Sequence, residues 1–133
     1  MYITRGADYA VRCILLLSKE PDRIISANEI SKSMLIPRSF LAKILQRLSL
    51  KGIVKSTQGV SGGFQLAKKP GKINLLEVIE AIQGPSAMSI CAIDKRICGL
   101  SGTCAVHPIW VELREEVEKR LKRENFAKLA RKR

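Results

Sequence analysis

Residues 26–66 read SANEISKSMLIPRSFLAKILQRLSLKGIVKSTQGVSGGFQL, and the order of elements predicted within them indicates the fold class. Ser26 and Glu29 have the spacing of a capping box, which predicts the start of a short helix. Pro37 suits the first position of a longer helix, because a helix start leaves that N–H unpaired anyway. The longer helix then has an apolar stripe at helical spacing, formed by Leu41, Ile44, Leu45 and Leu48.

The second half of the stretch predicts a β-hairpin. Residues 53–57 and 64–66 are rich in strand-forming side chains, and the glycine-rich segment 58–63 joins them. Two helices joined by a short turn and followed by a basic hairpin are the order of a winged helix-turn-helix. A phosphate-binding loop is excluded, because no Gly-Lys-Ser/Thr follows and no helix starts directly after Gly63.

Further helices are predicted on both sides of this stretch. One runs from Ala7 to about Ser18, a second is capped by Asn74 and stops at Gly84, and a last one starts at Pro108. The last helix has one narrow apolar stripe, formed by Trp110, Leu113, Val117 and Leu121. Such a stripe suits packing against a partner helix, as in a homodimer, and it equally suits docking on its own domain.

The predicted fold is therefore mainly α. We expect a winged helix-turn-helix domain with a small β-hairpin wing at residues 1–85. A cysteine-bearing loop without helical or strand period follows at residues 86–107, and a long C-terminal dimerisation helix with a basic tail at residues 108–133.

The charge balance predicts a polyanionic partner. The 133 residues include 24 Lys and Arg against 12 Asp and Glu, a formal charge of +12. On the longer helix, the side opposite the apolar stripe is cationic and able to form hydrogen bonds, as expected of a helix that reads DNA. A solvated polar surface is the simpler interpretation of that side taken alone.

Neither a membrane span nor an export signal is expected. The longest apolar run near the N-terminus, residues 13–17, is far shorter than the roughly 20 residues that cross a bilayer. We therefore expect a cytoplasmic protein, and a reducing compartment favours metal-binding or redox-active thiols over disulfides.

Three cysteines and the single histidine form the pattern Cys91-x6-Cys98-x5-Cys104-x2-His107. Soft thiolates and an imidazole suit zinc or an iron-sulfur cluster, and the spacing alone does not choose between the two. An unliganded redox trio is a third possibility. Cys13 lies in an apolar helix and is expected to be a buried, inert thiol. An enzyme is not expected, because no nucleophile and orienting carboxylate accompany His107.

Together these residues resemble the bacterial winged helix-turn-helix iron-sulfur regulator family that includes the iron-sulfur-cluster regulator IscR and the nitric-oxide-sensing repressor NsrR. The resemblance covers nearly the whole chain and is carried by residues 3–12, 40–45 and 62–66 and by the cysteine segment before Trp110. It implies a homodimer that binds double-stranded DNA and no small-molecule substrate. It also implies a 2Fe-2S or 4Fe-4S cluster that changes DNA affinity.

The resemblance assigns Cys91, Cys98 and Cys104 as thiolate ligands and leaves two candidates for the fourth ligand. His107 matches the histidine of the 2Fe-2S branch, whereas Asp8 matches the N-terminal carboxylate that the partner subunit supplies in the 4Fe-4S branch. Each has another interpretation, since His107 suits capping of the last helix and Asp8 suits an ion pair with Arg12, four residues on. One extra residue separates Cys91 from Cys98, compared with the commonest spacing.

The resemblance also assigns DNA contacts. The expected base-reading residues of the longer helix are Arg38, Ser39, Ala42 and Lys43. Arg47 is expected on a phosphate. In the wing, many members have an arginine at the position of Gln58, which precedes Gly59. Lys55 or another wing residue is therefore expected to contribute to the groove contact. The alternative to a sensor is a winged-helix DNA-binding protein with a structural zinc site.

Overall fold

The computed structural model describes residues 2–132, and it confirms the mainly α winged helix-turn-helix fold. Met1 and Arg133, the outer ends of the first and last predicted segments, lie outside the described residues. Within them, the elements in chain order are α1 (Arg5–Lys19), α2 (Ala27–Met34), α3 (Arg38–Leu50), β1 (Val54–Thr57), β2 (Gly63–Leu66), α4 (Leu75–Gln83), α5 (His107–Lys122) and α6 (Phe126–Ala130). Short 3₁₀ turns occur at Pro70–Lys72, Ile90–Ala92 and Lys95–Ile97.

Helix α1 lies at the centre of the core. It starts where the Thr4 hydroxyl accepts a hydrogen bond from the Ala7 N–H at 3.1 Å. Its apolar residues recur at three- and four-residue steps, so one side is completely buried. Helices α2, α3, α4 and α6 all contact α1. The buried side of α1 includes Ala7, Ala10, Cys13, Ile14 and Leu17.

The turn between α2 and α3 is tight and ordered by side chains. Ser26 caps α2 by accepting from the Glu29 N–H at 3.1 Å, as the capping-box spacing predicts. Leu35 ends α2 in the left-handed region, at φ 56°. The Ser31 hydroxyl donates to the Ile36 carbonyl at 2.6 Å and holds the turn closed. Pro37 is the N-cap residue of α3 and not its first helical residue, because its ψ of 134° is still extended.

The hairpin is antiparallel and is attached to the start of α2. Val54 pairs with Leu66 at its base, and a bridge joins Ile25 to Phe64. A Cβ atom added at Gly63 would lie 2.4 Å from the Ile25 carbonyl oxygen, so only glycine allows this close approach. The wing therefore has a fixed orientation relative to α2 and α3.

The C-terminal residues return to the core, a feature that the sequence analysis missed. Asn125 caps α6 by accepting from the Lys128 N–H at 2.9 Å, and a backbone bridge joins it to Asn74 before α4. Phe126 is completely buried in the main core. Within residues 2–132, every helix is too short or too polar to cross a bilayer.

We predict that Phe126→Ala lowers the free energy of unfolding by about 3–5 kcal/mol, because it leaves a cavity beside α1. Urea denaturation measures the change. Leu50→Ala is the control, since Leu50 is 77% exposed and its truncation is expected to stay within about 0.5 kcal/mol. A loss below about 1 kcal/mol for Phe126→Ala would show that α6 does not close the core.

Candidate functional site

The outer side of α3 is fully open to solvent, as the helical spacing predicts. Leu41, Ile44, Leu45 and Leu48 are buried, whereas the predicted base-reading residues are exposed. These are Arg38, Ser39, Ala42 and Lys43, with Arg47 one turn further along. The guanidinium of Arg38 donates to the Asn28 side chain at 3.2 Å, which holds it near the start of α2.

No carboxylate neutralises this surface locally. Between Glu29 and Glu77 the sequence contains no Asp or Glu and nine Lys or Arg residues, so the local excess of positive charge is visible in the sequence itself. Among the salt bridges within residues 2–132, none involves Lys43, Arg47 or Lys55. A surface with this unpaired charge attracts a polyanion and binds it in a salt-dependent way.

A cleft of about 400 Å³ lies between α3 and the hairpin. Ala42, Gln46 and Leu50 line it on the helix side, and Ser56, Gln58 and Phe64 line it on the hairpin side. The cleft thereby brings together Ala42 of the helix and Gln58 of the wing, two of the predicted DNA-contacting residues. The separation of a helix and a wing by such a cleft suits a DNA backbone that runs between two grooves.

The tip of the wing carries no cation. Gln58 and Gly59 are both exposed there, and Gly59 adopts a φ of 107° that favours glycine. Val60 is the outermost side chain and is fully exposed. Lys55 lies on β1, further from the tip, and its side chain is also exposed. The tip thus offers hydrogen bonds and an apolar contact, and the wing's positive charge is set back from it.

The cysteine loop leaves its thiols accessible. Cys98 is exposed, whereas Cys91 and Cys104 are half-buried, and all are free thiols. The Cys91 sulfur lies 3.4 Å from the Ser89 hydroxyl. Within residues 2–132, no three His, Cys, Asp or Glu side chains are grouped closely enough to hold one metal ion. The candidate ligands therefore share one loop without being assembled in the isolated chain.

The chemistry of these residues fits a metal centre. His107 starts α5, and its Nδ1 atom is buried without a hydrogen-bond partner in the part of the chain described. A buried polar atom left unpaired costs stability, and a metal or a proton-sharing group would satisfy it. Three accessible thiols with this imidazole match the ligand sets of iron-sulfur clusters and of zinc.

Asp8, the other candidate ligand, forms the ion pair with Arg12 that its spacing suggests. The Asp8 carboxylate and the Arg12 guanidinium are 2.9 Å apart, and the Asp8 side chain is 50% exposed. Arg12 also donates to the Met34 carbonyl at the end of α2, at 3.2 Å, and lies 5.3 Å from the Tyr9 ring centre. The Tyr9 ring in turn meets Phe40 of α3 edge-on. Asp8 is thus linked by contacts to the helix-turn-helix.

Helix α5 has no completely buried residue along its 16 positions. Trp110, Leu113, Val117 and Leu121 are all only half-buried. Exposed apolar residues extend from the loop to this helix, among them Ile97, Leu100 and Ile109. A segment this rich in exposed apolar side chains is typical of a protein–protein contact.

The family model described as "Iron-dependent Transcriptional regulator", named Rrf2, matches residues 3–132. The chain belongs to the Rrf2 family. The resemblance inferred from the sequence is confirmed, and the protein is a DNA-binding transcriptional regulator by family. Its relatives are regulators and not enzymes, as expected.

Curated relatives cover most of this Rrf2-family chain. A protein assigned as an HTH-type transcriptional regulator in Aquifex aeolicus is 36% identical over 112 residues, which are 83% of this chain and 78% of the relative. The HTH-type transcriptional regulator NsrR of Bacillus subtilis is 28% identical over 108 residues, 80% and 74% of the two chains.

Solved structures show the same fold. CymR, described as the global cysteine regulator of B. subtilis, superposes with a TM-score of 0.80 at 21% identity over 98% of this chain and 96% of its own. T. potens IscR superposes with a TM-score of 0.78 at 18% identity over 97% and 85%. At these identities the likeness supports the architecture alone.

We predict that native protein at pH 8 is alkylated by iodoacetamide at Cys91, Cys98 and Cys104 and not at Cys13. Burial raises the pKa of the Cys13 thiol to about 12, so it stays protonated at pH 8, and the thiolate is the reactive form. Mass spectrometry is expected to count three adducts in native protein and four in denaturant. Labelling of Cys13 at the rate of Cys98 would show that the core around α1 opens readily.

Proposed function

We propose that this Rrf2-family protein is a cytoplasmic homodimer whose binding to operator DNA is controlled by an iron-sulfur cluster. The observation that carries the proposal is the pairing of two features in one chain. One is the unneutralised basic surface of α3 and the wing, and the other is an accessible loop with three thiols next to an unpaired imidazole. The first suits DNA, and the second suits a cluster.

In this proposal α3 enters the major groove. Arg38, Ser39, Ala42 and Lys43 face base edges, and the Lys43 ammonium reaches a guanine acceptor. Arg47 and Lys55 neutralise phosphates on either side of the cleft. Gln58 and Gly59 approach the minor groove, where the wing contact is weaker than an arginine contact would be, because the tip has no charge.

The dimer forms through α5. Its half-buried stripe and the apolar residues of the loop would be covered by the same surfaces of a second copy, which is the arrangement expected of a two-fold symmetric contact. The stripe is flanked by charged residues that pair within the helix, including Arg114 with Glu118 at 3.1 Å. The α3 helices of the two subunits then bind two half-sites in successive major grooves.

Cys91, Cys98 and Cys104 would hold the cluster, with His107 or the partner's Asp8 as the fourth ligand. The cluster supplies a centre whose oxidation, loss or nitrosylation alters the ligands around it. Within the chain, Asp8 cannot bind iron and keep its full ion pair with Arg12. Because Arg12 also holds the Met34 carbonyl, a change at Asp8 reaches the end of α2 and the turn before α3.

We predict that Cys91→Ala, Cys98→Ala and Cys104→Ala each abolish cluster binding in anaerobically reconstituted protein. The readouts are visible absorption, iron and acid-labile sulfide. Cys13→Ala is the matched control and is expected to keep the cluster, because its thiol is sealed in the core. Of His107→Ala and Asp8→Ala, only the variant that removes the true fourth ligand loses or weakens the cluster. Colourless wild type with one bound zinc would contradict the sensor and favour a structural zinc site.

Control of DNA binding by the cluster is measured separately from cluster binding. Operator affinity of cluster-loaded and metal-free wild type is expected to differ by at least about fivefold, the lower end of ordinary allosteric coupling. Fluorescence anisotropy with labelled operator fragments measures it. Equal affinity of the two forms would refute sensing even if the cluster binds.

We predict contrasting effects for two basic residues of α3. Lys43→Ala should cost about 1–3 kcal/mol of operator binding and relax the preference at one base pair. Arg47→Ala should weaken binding to all sequences and reduce the slope of log affinity against log salt by about one per site. Titrations between 50 and 200 mM salt test both, with exposed Lys19→Ala at the end of α1 as control. A salt slope unchanged by Arg47→Ala would remove that residue from the interface.

A further inference from the structure

The side chain of Gln83, the last residue of α4, makes three hydrogen bonds to segments far apart in the chain. Its carbonyl oxygen accepts from the Thr4 N–H at 3.0 Å. Its amide nitrogen donates to the Tyr2 carbonyl at 3.2 Å and to the Ser86 hydroxyl at 2.7 Å. Both amide donors and the acceptor are therefore used. Only a terminal amide of this length offers two donors and an acceptor at these positions.

The hydrogen bond from the Thr4 N–H to the Gln83 side chain fixes the start of α1. Thr4, held by Gln83, is the residue that caps α1, and its carbonyl accepts from the Asp8 N–H at 3.0 Å. The two helices are close here, because a Cβ atom added at Gly6 would lie 3.3 Å from the Ile82 side chain. The position of Asp8 therefore depends on the anchoring of residues 2–4.

The hydrogen bond from the Gln83 side chain to the Ser86 hydroxyl fixes the first residues of the cysteine loop. Ser86 lies five residues before Cys91, in a segment whose regular structure is limited to 3₁₀ turns. A cleft of about 360 Å³ separates the two anchored segments, with Tyr2 and Thr4 on one side and Ile90 and Ile93 on the other. Few backbone hydrogen bonds and exposed apolar side chains make this segment easy to open locally.

We propose that Gln83 is a positioning residue that couples the N-terminal segment 2–8 to the cysteine-loop segment 86–93. One planar amide holds both, so neither segment moves independently of the other while its bonds persist. The inference rests on the proposed function in one respect, because it makes Asp8 and Cys91 parts of one connected unit. The coupling itself is a property of the metal-free chain and is testable there.

Hydrogen exchange of metal-free protein tests the coupling, with rates taken relative to the buried amides of α3. Gln83→Leu removes all three bonds at similar volume and is expected to raise exchange in residues 2–8 and 86–93 together, by about tenfold or more. Ser86→Ala is expected to raise exchange in residues 86–93 only. Glu77→Gln is the matched control, since it weakens the ion pair with Lys68 at the other end of α4 and should change neither segment.

If Gln83→Leu does not fold, the conservative variant Gln83→Glu tests the coupling between the two segments. The carboxylate of Gln83→Glu still accepts from the Thr4 N–H. The bond to Ser86 reverses, because the Ser86 hydroxyl donates to the carboxylate, and the bond to the Tyr2 carbonyl is lost. Exchange in residues 86–93 is therefore expected to stay near the wild-type rate. An increase confined to one segment in Gln83→Leu, or an equal increase in Glu77→Gln, would overturn the coupling.

Experiments on cluster-loaded protein distinguish a failure of the Gln83 coupling from a failure of cluster binding. If wild type binds a cluster, Gln83→Leu is expected to lose its visible absorption to a chelator several-fold faster than Glu77→Gln. If wild type binds none, the proposed function fails, and the exchange experiment still decides the coupling. Equal chelator rates with coupled exchange would show that Gln83 joins the segments without holding the ligands.

Discussion

Helix α1 is buried against four other helices, and their packing around it holds the fold together. Its small residues Ala7 and Ala10 let neighbouring helices approach closely, and Ile14 and Leu17 fill the space beside α2 and α3. A helix buried against four neighbours leaves a gap if any of them is absent. The chain closes that gap by returning after α5 and inserting Phe126 beside α1. The position of α1 beneath α3 is therefore fixed by residues at both ends of the sequence.

The same helix connects the two proposed activities. Its half-exposed side carries Asp8 and Arg12, and Arg12 contacts the end of α2 while Tyr9 meets Phe40 on α3. The basic surface on α3 and the wing needs a rigid support, because Lys43, Arg47 and Lys55 form no salt bridge within residues 2–132 and repel one another. Close packing of α1 under α3 and the backbone contact of Gly63 with Ile25 supply that support.

The cysteine loop is the incomplete part of the isolated chain. Half of the large apolar residues that are exposed lie between Met88 and Ile109, and the candidate ligands there are not assembled. A partner copy would cover the apolar residues, and a bound centre would order the thiols and satisfy His107. Both requirements fall on the same segment, so dimerisation and cofactor binding are expected to stabilise each other.

The mainly α fold, the helix and hairpin order, the caps at Ser26 and Asn74, the exposed side of α3 and the family could all be predicted from the amino-acid sequence, because these features follow from residue spacing along a single element. Which element covers each apolar side became visible in the folded chain alone. It revealed α6 in the core and Gln83 bonded to residues 79 and 81 positions away. It also left the thiols ungrouped, although their spacing suggested one centre. Hydrophobic periodicity predicts which side of a helix or strand is buried. The residues that pack against that side lie far away in the sequence, and local spacing does not identify them.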